Sequence, residues 1–164
     1  FLKDVHEYLR QLIKIYPSSE EAFNAVKELY SDCCMPFYES MIDSILLNDF
    51  DSKQFYDLKF NLIHQKILYS SLYDDRELQK FIYERWTKYG LDLLIESGKE
   101  ESVILDYLSQ YADSEAVQVN YVDYYVRKGH YQKALDILDE HTGHAYEVKK
   151  QEVIDAMNHH KEVS

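Results

Sequence analysis

Proline, glycine and cysteine are scarce in this 164-residue chain: two, four and two residues respectively. Each scarcity excludes a class of protein. An all-β sandwich needs turn residues every ~8–12 positions, and so few Gly and Pro cannot supply them. A disulfide framework needs more than one adjacent pair, Cys33-Cys34. That pair also lacks the two-residue spacer with which neighbouring thiolates share a zinc ion. It reads as buried structural thiols in a reducing compartment, hence a cytoplasmic location. The glycines stand singly, so no Gly-rich loop can cradle a phosphate. Neither a Gly-x-Ser-x-Gly elbow nor a His-Glu-x-x-His zinc helix is present. Long apolar runs are missing too. Ile45-Leu46-Leu47 is among the densest stretches, far short of the ~20 residues that span a bilayer, and no signal-peptide pattern opens the chain.

Positive charge is the other shortage. Eighteen Lys and Arg face thirty Asp and Glu, a net charge of −12. Such a surface repels phosphate backbones, so no nucleic-acid partner is expected. The imbalance is uneven: residues 1–50 carry −5, residues 51–90 carry +1 and residues 91–164 carry −8. The middle stretch holds Lys53, Lys59, Lys66, Arg76, Lys80, Arg85 and Lys88, which are expected on a solvated helix face.

What is plentiful is apolar and aromatic side chain, 46% and 15% of the chain, with sixteen tyrosines. That is too much for a disordered acidic tail. The length suits a single domain. The chain opens on Phe1-Leu2-Lys3, already inside a helical pattern, and is expected to be a fragment of a larger protein.

Apolar spacing of three and four predicts helices throughout. Leu2, Val5, Leu9, Leu12, Ile13 and Tyr16 form the first stripe, stopped by Pro17. Ser18 with Glu21 reads as a capping box for a second helix burying Ala22, Phe23, Val26, Leu29 and Tyr30. Pro36 suits the first turn of a third. Asp51 or Ser52 caps a fourth, whose face is Phe55, Leu58, Leu62, Ile63, Ile67 and Leu68, to about Leu72. Asp74-Asp75 caps a long helix to Gly98, which the interior Gly90 could split. Helices follow over Glu100–Tyr111, from Ser114 to Lys128, over Tyr131–His141, and after Gly143 to about Lys161, with a polar tail from Asn158 expected to fray. Eight or nine helices with short connections make an all-α stack of antiparallel helical hairpins, an α-solenoid.

Gly98 to Leu108 can be laid on Gly129 to Asp139 at an offset of 31 residues, which places Val103 on Ala134. In each, Gly ends one helix and a small or β-branched residue five positions on would let the next pack closely. A repeat of helix pairs at this period is the mark of α-solenoids. Residues 114–145, chiefly "YYVRKGHYQKALDILDEH", resemble a degenerate tetratricopeptide repeat. Tyr125, Gly129, Tyr131, Ala134 and Leu138 match its pattern, whereas Gln118 and Val122 depart from it and no proline follows near Tyr146. Residues 98–145 are the most repeat-like part. The resemblance implies a TPR-like fold that binds a peptide or protein on a concave face.

No constellation of catalytic residues stands out. The pairs Glu20-Glu21, Asp74-Asp75 and Glu100-Glu101 fall at helix starts, where they complement the dipole. His130, His141, His144, His159 and His160 cluster late; His141 and His144 bracket Gly143 at a turn, which favours ordinary exposed histidine over a metal site with Asp139 or Glu140. No cofactor is expected. The tyrosines are the oddity: Tyr107, Tyr111, Tyr121, Tyr124, Tyr125 and Tyr131 crowd the repeat-like hairpins. Core packing leads, but Tyr121, Tyr124 and Tyr125 spread over more than one face, so the least buried of the six are candidate partner-binding residues. The expected function is a non-enzymatic helical-repeat scaffold for protein–protein interaction, with a basic or amphipathic protein or peptide as partner and no membrane association. The alternative is a structural or regulatory helical domain without a separable ligand.

Overall fold

The computed structural model describes residues 2–15, 19–32 and 36–163, and among them every regular element is a helix. In chain order these are α1 (Leu2–Ile15), α2 (Glu20–Glu28), a 3-10 turn (Leu29–Asp32), α3 (Pro36–Asn48), α4 (Tyr56–Ser70), α5 (Arg76–Glu96), α6 (Glu101–Gln110), α7 (Glu115–Arg127), α8 (Tyr131–Asp139) and α9 (His144–Val163). The all-α class is therefore established. Cys33-Cys34, and Tyr16, Pro17 and Ser18 at the end of the first helix, lie outside the described residues.

Local chemistry sets the boundaries. Ser19, rather than Ser18, caps α2: its Oγ accepts from Ala22 N (3.1 Å) and donates to Glu21 Oε2 (2.8 Å). That bond holds the Glu21 carboxyl below its ordinary value. Asp51 Oδ1 accepts from Lys53 N and Gln54 N ahead of α4, and Asp75 Oδ1 does the same for Glu77 N and Leu78 N at the start of α5. Ser114 caps α7 through Val117 N (3.3 Å). Gly98 and Gly129 both close helices in the left-handed region, at φ +71° and +75°. Each begins the same pair of bonds: Gly98 N to Ile95 O with Lys99 N to Leu94 O, and Gly129 N to Val126 O with His130 N to Tyr125 O. The 31-residue offset thus repeats a helix ending. It does not repeat the packing that follows, because Ala134 is buried while Val103 is exposed and Ile104 turns inward instead. The helix α9 continues to Val163 without a break at Asn158.

Contacts group the chain into two units. The first comprises residues 1–63 and 93–99. Its core is Ile13, Phe23, Val26, Ile42, Ile45, Leu46, Phe50, Phe55 and Leu62, flanked by Leu9, Ala22, Leu29, Tyr30 and Leu58. Phe50 meets Phe23 and Phe55 edge-on, each at 5.0 Å between centroids, the favoured aromatic geometry. Lys59 overturns its expected place on a solvated face: it is 1% exposed. Its ammonium donates to Leu47 O (2.7 Å), Phe50 O (2.6 Å) and Ser52 Oγ (3.1 Å), which satisfies all three protons and closes the C-terminal end of α3. Burial pushes this ammonium below the usual lysine value, against the opposing pull of Glu96, Asp51 and Asp49.

The second unit comprises residues 64–92 and 100–164. There α7 packs on α8, and α9 on both. Gly90 does not split α5, which runs unbroken through it. The residue instead makes room for Tyr107: a Cβ at Gly90 would stand 2.6 Å from Tyr107 Cζ. The Tyr107 hydroxyl donates to Thr87 O at 2.8 Å, so α6 is pinned to α5 by one ring and one hydrogen bond. Glu84 ties α5 to α7, its Oε2 accepting from Ser114 Oγ (2.7 Å) and Ala116 N (2.8 Å) at the α7 N-terminus.

Candidate functional site

The six tyrosines singled out from the sequence do not form one surface. Tyr107, Tyr111, Tyr121 and Tyr125 are buried, which withdraws them from direct contact with a partner. The spacing explains it: Val117, Tyr121 and Tyr125 are four apart, one stripe of α7 turned into the core. Their hydroxyls are satisfied internally. A carboxylate only accepts, so Tyr125 donates to Glu101 Oε1 (2.7 Å) and Tyr121 donates to Tyr125 (2.6 Å). Lys133 completes the group, 3.7 Å from Glu101 and 5.3 Å from the Tyr125 ring centroid. Burial first, and the bond donated to Glu101 after it, push the Tyr125 phenol up, while the Tyr125 hydroxyl and Lys133 hold Glu101 below its ordinary value. The Tyr107 and Tyr111 rings meet tilted, their centroids 4.6 Å apart. Only Tyr124 and Tyr131 are half-exposed; Tyr124 stacks on Tyr121 under Lys128, and Tyr131 lies against His160.

The largest concentration of bare apolar surface lies elsewhere. Leu68, Tyr69, Leu72, Tyr73, Leu78 and Phe81, at the turn between α4 and α5, are between 41% and 72% exposed. Leu68 was expected on the buried face of its helix; its neighbour Ile67 takes that place. The turn is held by Asp75 capping α5 and by Gln79 Nε2 donating to Ser71 O (3.0 Å). Beside it opens a groove of about 390 Å³ lined by Ser70, Ser71, Gln79, Lys80, Tyr83, Glu84 and Asp113. Most of these polar groups are already engaged: Ser70 Oγ donates to Ile67 O, Tyr83 to Asp113 (2.7 Å), and Glu84 accepts from α7. Burial and the bond to Asp113 push the Tyr83 phenol up. Lys80 makes no hydrogen bond or ion pair with the described residues. The groove therefore has apolar rims and, in Lys80, a cation with no partner among the described residues.

The signal for this end was present in the sequence: Ile67, Leu68, Tyr69, Leu72 and Tyr73 lead into the turn marked by Asp74-Asp75, and Leu78 and Phe81 follow it, where burial is hardest. Among the described residues no three His, Cys, Asp or Glu side chains stand close enough to share a metal ion, and the His141 ring stacks on Tyr146 at 4.8 Å. Among the same residues no helix is long and apolar enough to cross a membrane. No protein family, curated protein or solved structure matches the chain.

Proposed function

We propose that this chain is a non-enzymatic helical scaffold, of the helical-repeat and TPR-like kind, that mediates protein–protein interaction within the cytoplasm. The observation that carries the reading is the exposed set Leu68, Tyr69, Leu72, Tyr73, Leu78 and Phe81 at one hairpin end. Bare apolar surface on a soluble protein is costly unless something covers it, and large patches mark interaction sites. The partner is amphipathic rather than basic at this end, because residues 51–90 carry +1. Tyr124 and Tyr131 are the members of the tyrosine set still available for a second contact.

A purely structural or regulatory domain is the other reading, and the burial of Tyr107, Tyr111, Tyr121 and Tyr125 favours it. A photo-reactive benzophenone in place of the Phe81 side chain separates the two. Scaffolding predicts a discrete protein adduct at position 81 that is absent when the same group replaces Val148. Absence of any protein adduct at position 81 would leave the structural reading standing alone.

A further inference from the structure

We infer that the protein occupying the α4–α5 end is a second copy of this chain, joined through a two-fold symmetric contact. The inference rests on reading this end as a docking surface. In a two-fold contact each patch meets itself, so a patch of one charge sign repels its own image. With net charges of −5 over residues 1–50 and −8 over residues 91–164, most of this chain resists self-association. The α4–α5 end lies in the one stretch where the signs balance. Asp74, Asp75 and Glu77 stand within one turn of Arg76, and Lys80 follows a turn later on the same helix face as Arg76. Two α5 starts crossing in opposite directions set Lys80 of each copy against Asp74 of the other, and Lys80 has no competing partner among the described residues of its own chain.

The area is sufficient. At ~200 Å² per aromatic side chain, Tyr69, Tyr73 and Phe81 leave on the order of 300 Å² bare, and the three leucines bring the apolar total to roughly 600 Å². A standard interface takes ~800 Å² from each partner, so apolar surface supplies most of what a reversible, micromolar dimer requires.

Sedimentation velocity of the 164-residue chain across the micromolar range tests the proposal. A concentration-dependent dimer is expected. Phe81→Glu and Leu72→Glu should each raise its dissociation constant roughly 30-fold or more, as for interface hot spots. Both side chains are exposed, so unchanged circular dichroism melting separates this from unfolding. Lys80→Asp should weaken the homodimer, and mixing it with Asp74→Lys should restore pairing between the two variants. A chain that stays monomeric throughout, or a dimer whose constant neither Phe81→Glu nor Leu72→Glu moves, overturns the second copy as occupant. The docking reading itself fails separately, if the group at position 81 captures no protein of any kind.

Discussion

Gly90→Ala is the substitution on which local propensity and packing disagree most sharply. In an open helix the change stabilises by about 1 kcal/mol, because alanine restricts the unfolded chain and favours helix. Here the new methyl would stand 2.6 Å from Cζ and 3.1 Å from Cε2 of Tyr107. The ring has no easy retreat: it is 4% exposed, lies tilted against Tyr111 at 4.6 Å between centroids and is tethered to Thr87 O at 2.8 Å. Overpacking of this kind costs about 1–3 kcal/mol, which offsets the gain and leaves a net loss of up to about 2 kcal/mol, or a Tm lower by up to roughly 6 °C for a chain of this size. Tyr107→Ala alone should cost about 3–5 kcal/mol. Once the ring is gone the clash is gone, and Gly90→Ala in that background should stabilise. Urea denaturation of the four proteins closes the double-mutant cycle, with a coupling of about 1–3 kcal/mol expected. A Gly90→Ala variant that gains about 1 kcal/mol equally in both backgrounds would refute the account of how α6 is seated on α5.

Removing the Lys59 ammonium by Lys59→Met strips three acceptors of their donor and should cost about 2–3 kcal/mol by urea denaturation. Glu84→Ala should speed amide exchange at Glu115 and Ala116 and lower stability by about 1–3 kcal/mol, since it uncovers the α7 N-terminus. Burial raises the phenols of Tyr83, Tyr111, Tyr121 and Tyr125, so the folded chain keeps protons that the unfolded chain sheds near pH ~10. Their contribution is fully present below that value and is lost as pH rises beyond it. Phenolate absorbance should therefore rise in two phases, the second coincident with loss of helical circular dichroism. A single reversible phase for all sixteen tyrosines, with the helix signal unchanged, would contradict their burial.

Helix order was legible in the sequence because its punctuation is chemical: Asp51, Asp75 and Ser114 accept from the amides they were expected to cap, and Gly98 and Gly129 close helices with one motif. Two further features were legible in principle. Phe55, Lys59 and Leu62 lie on one stripe, so Lys59 was marked for burial by position despite its charge. Val117, Tyr121 and Tyr125 likewise mark a core face. What periodicity could not decide is which of two adjacent apolar residues turns inward, as at Ile67 and Leu68 or Val103 and Ile104. That choice depends on which neighbouring helix arrives on which side, and it is the choice that places the exposed end. Gly90 was misleading for a related reason, since a glycine that breaks a helix and one that admits a ring look alike until the ring is located.

The central claim is that partner contact belongs to the α4–α5 end and not to the tyrosine-rich hairpins. Its most direct test is quantitative comparison of the proteins, including further copies of this chain, retained by wild type, by Leu72→Glu with Phe81→Glu, and by Tyr124→Ala with Tyr131→Ala. All three should keep native helix content, because Leu72 and Phe81 are exposed and Tyr124 and Tyr131 are only half-buried. The account predicts that the Leu72 and Phe81 changes abolish retention while the Tyr124 and Tyr131 changes leave it within about twofold, the range of a near-neutral rim contact. Retention lost through Tyr124 and Tyr131, and kept without Leu72 and Phe81, would contradict it.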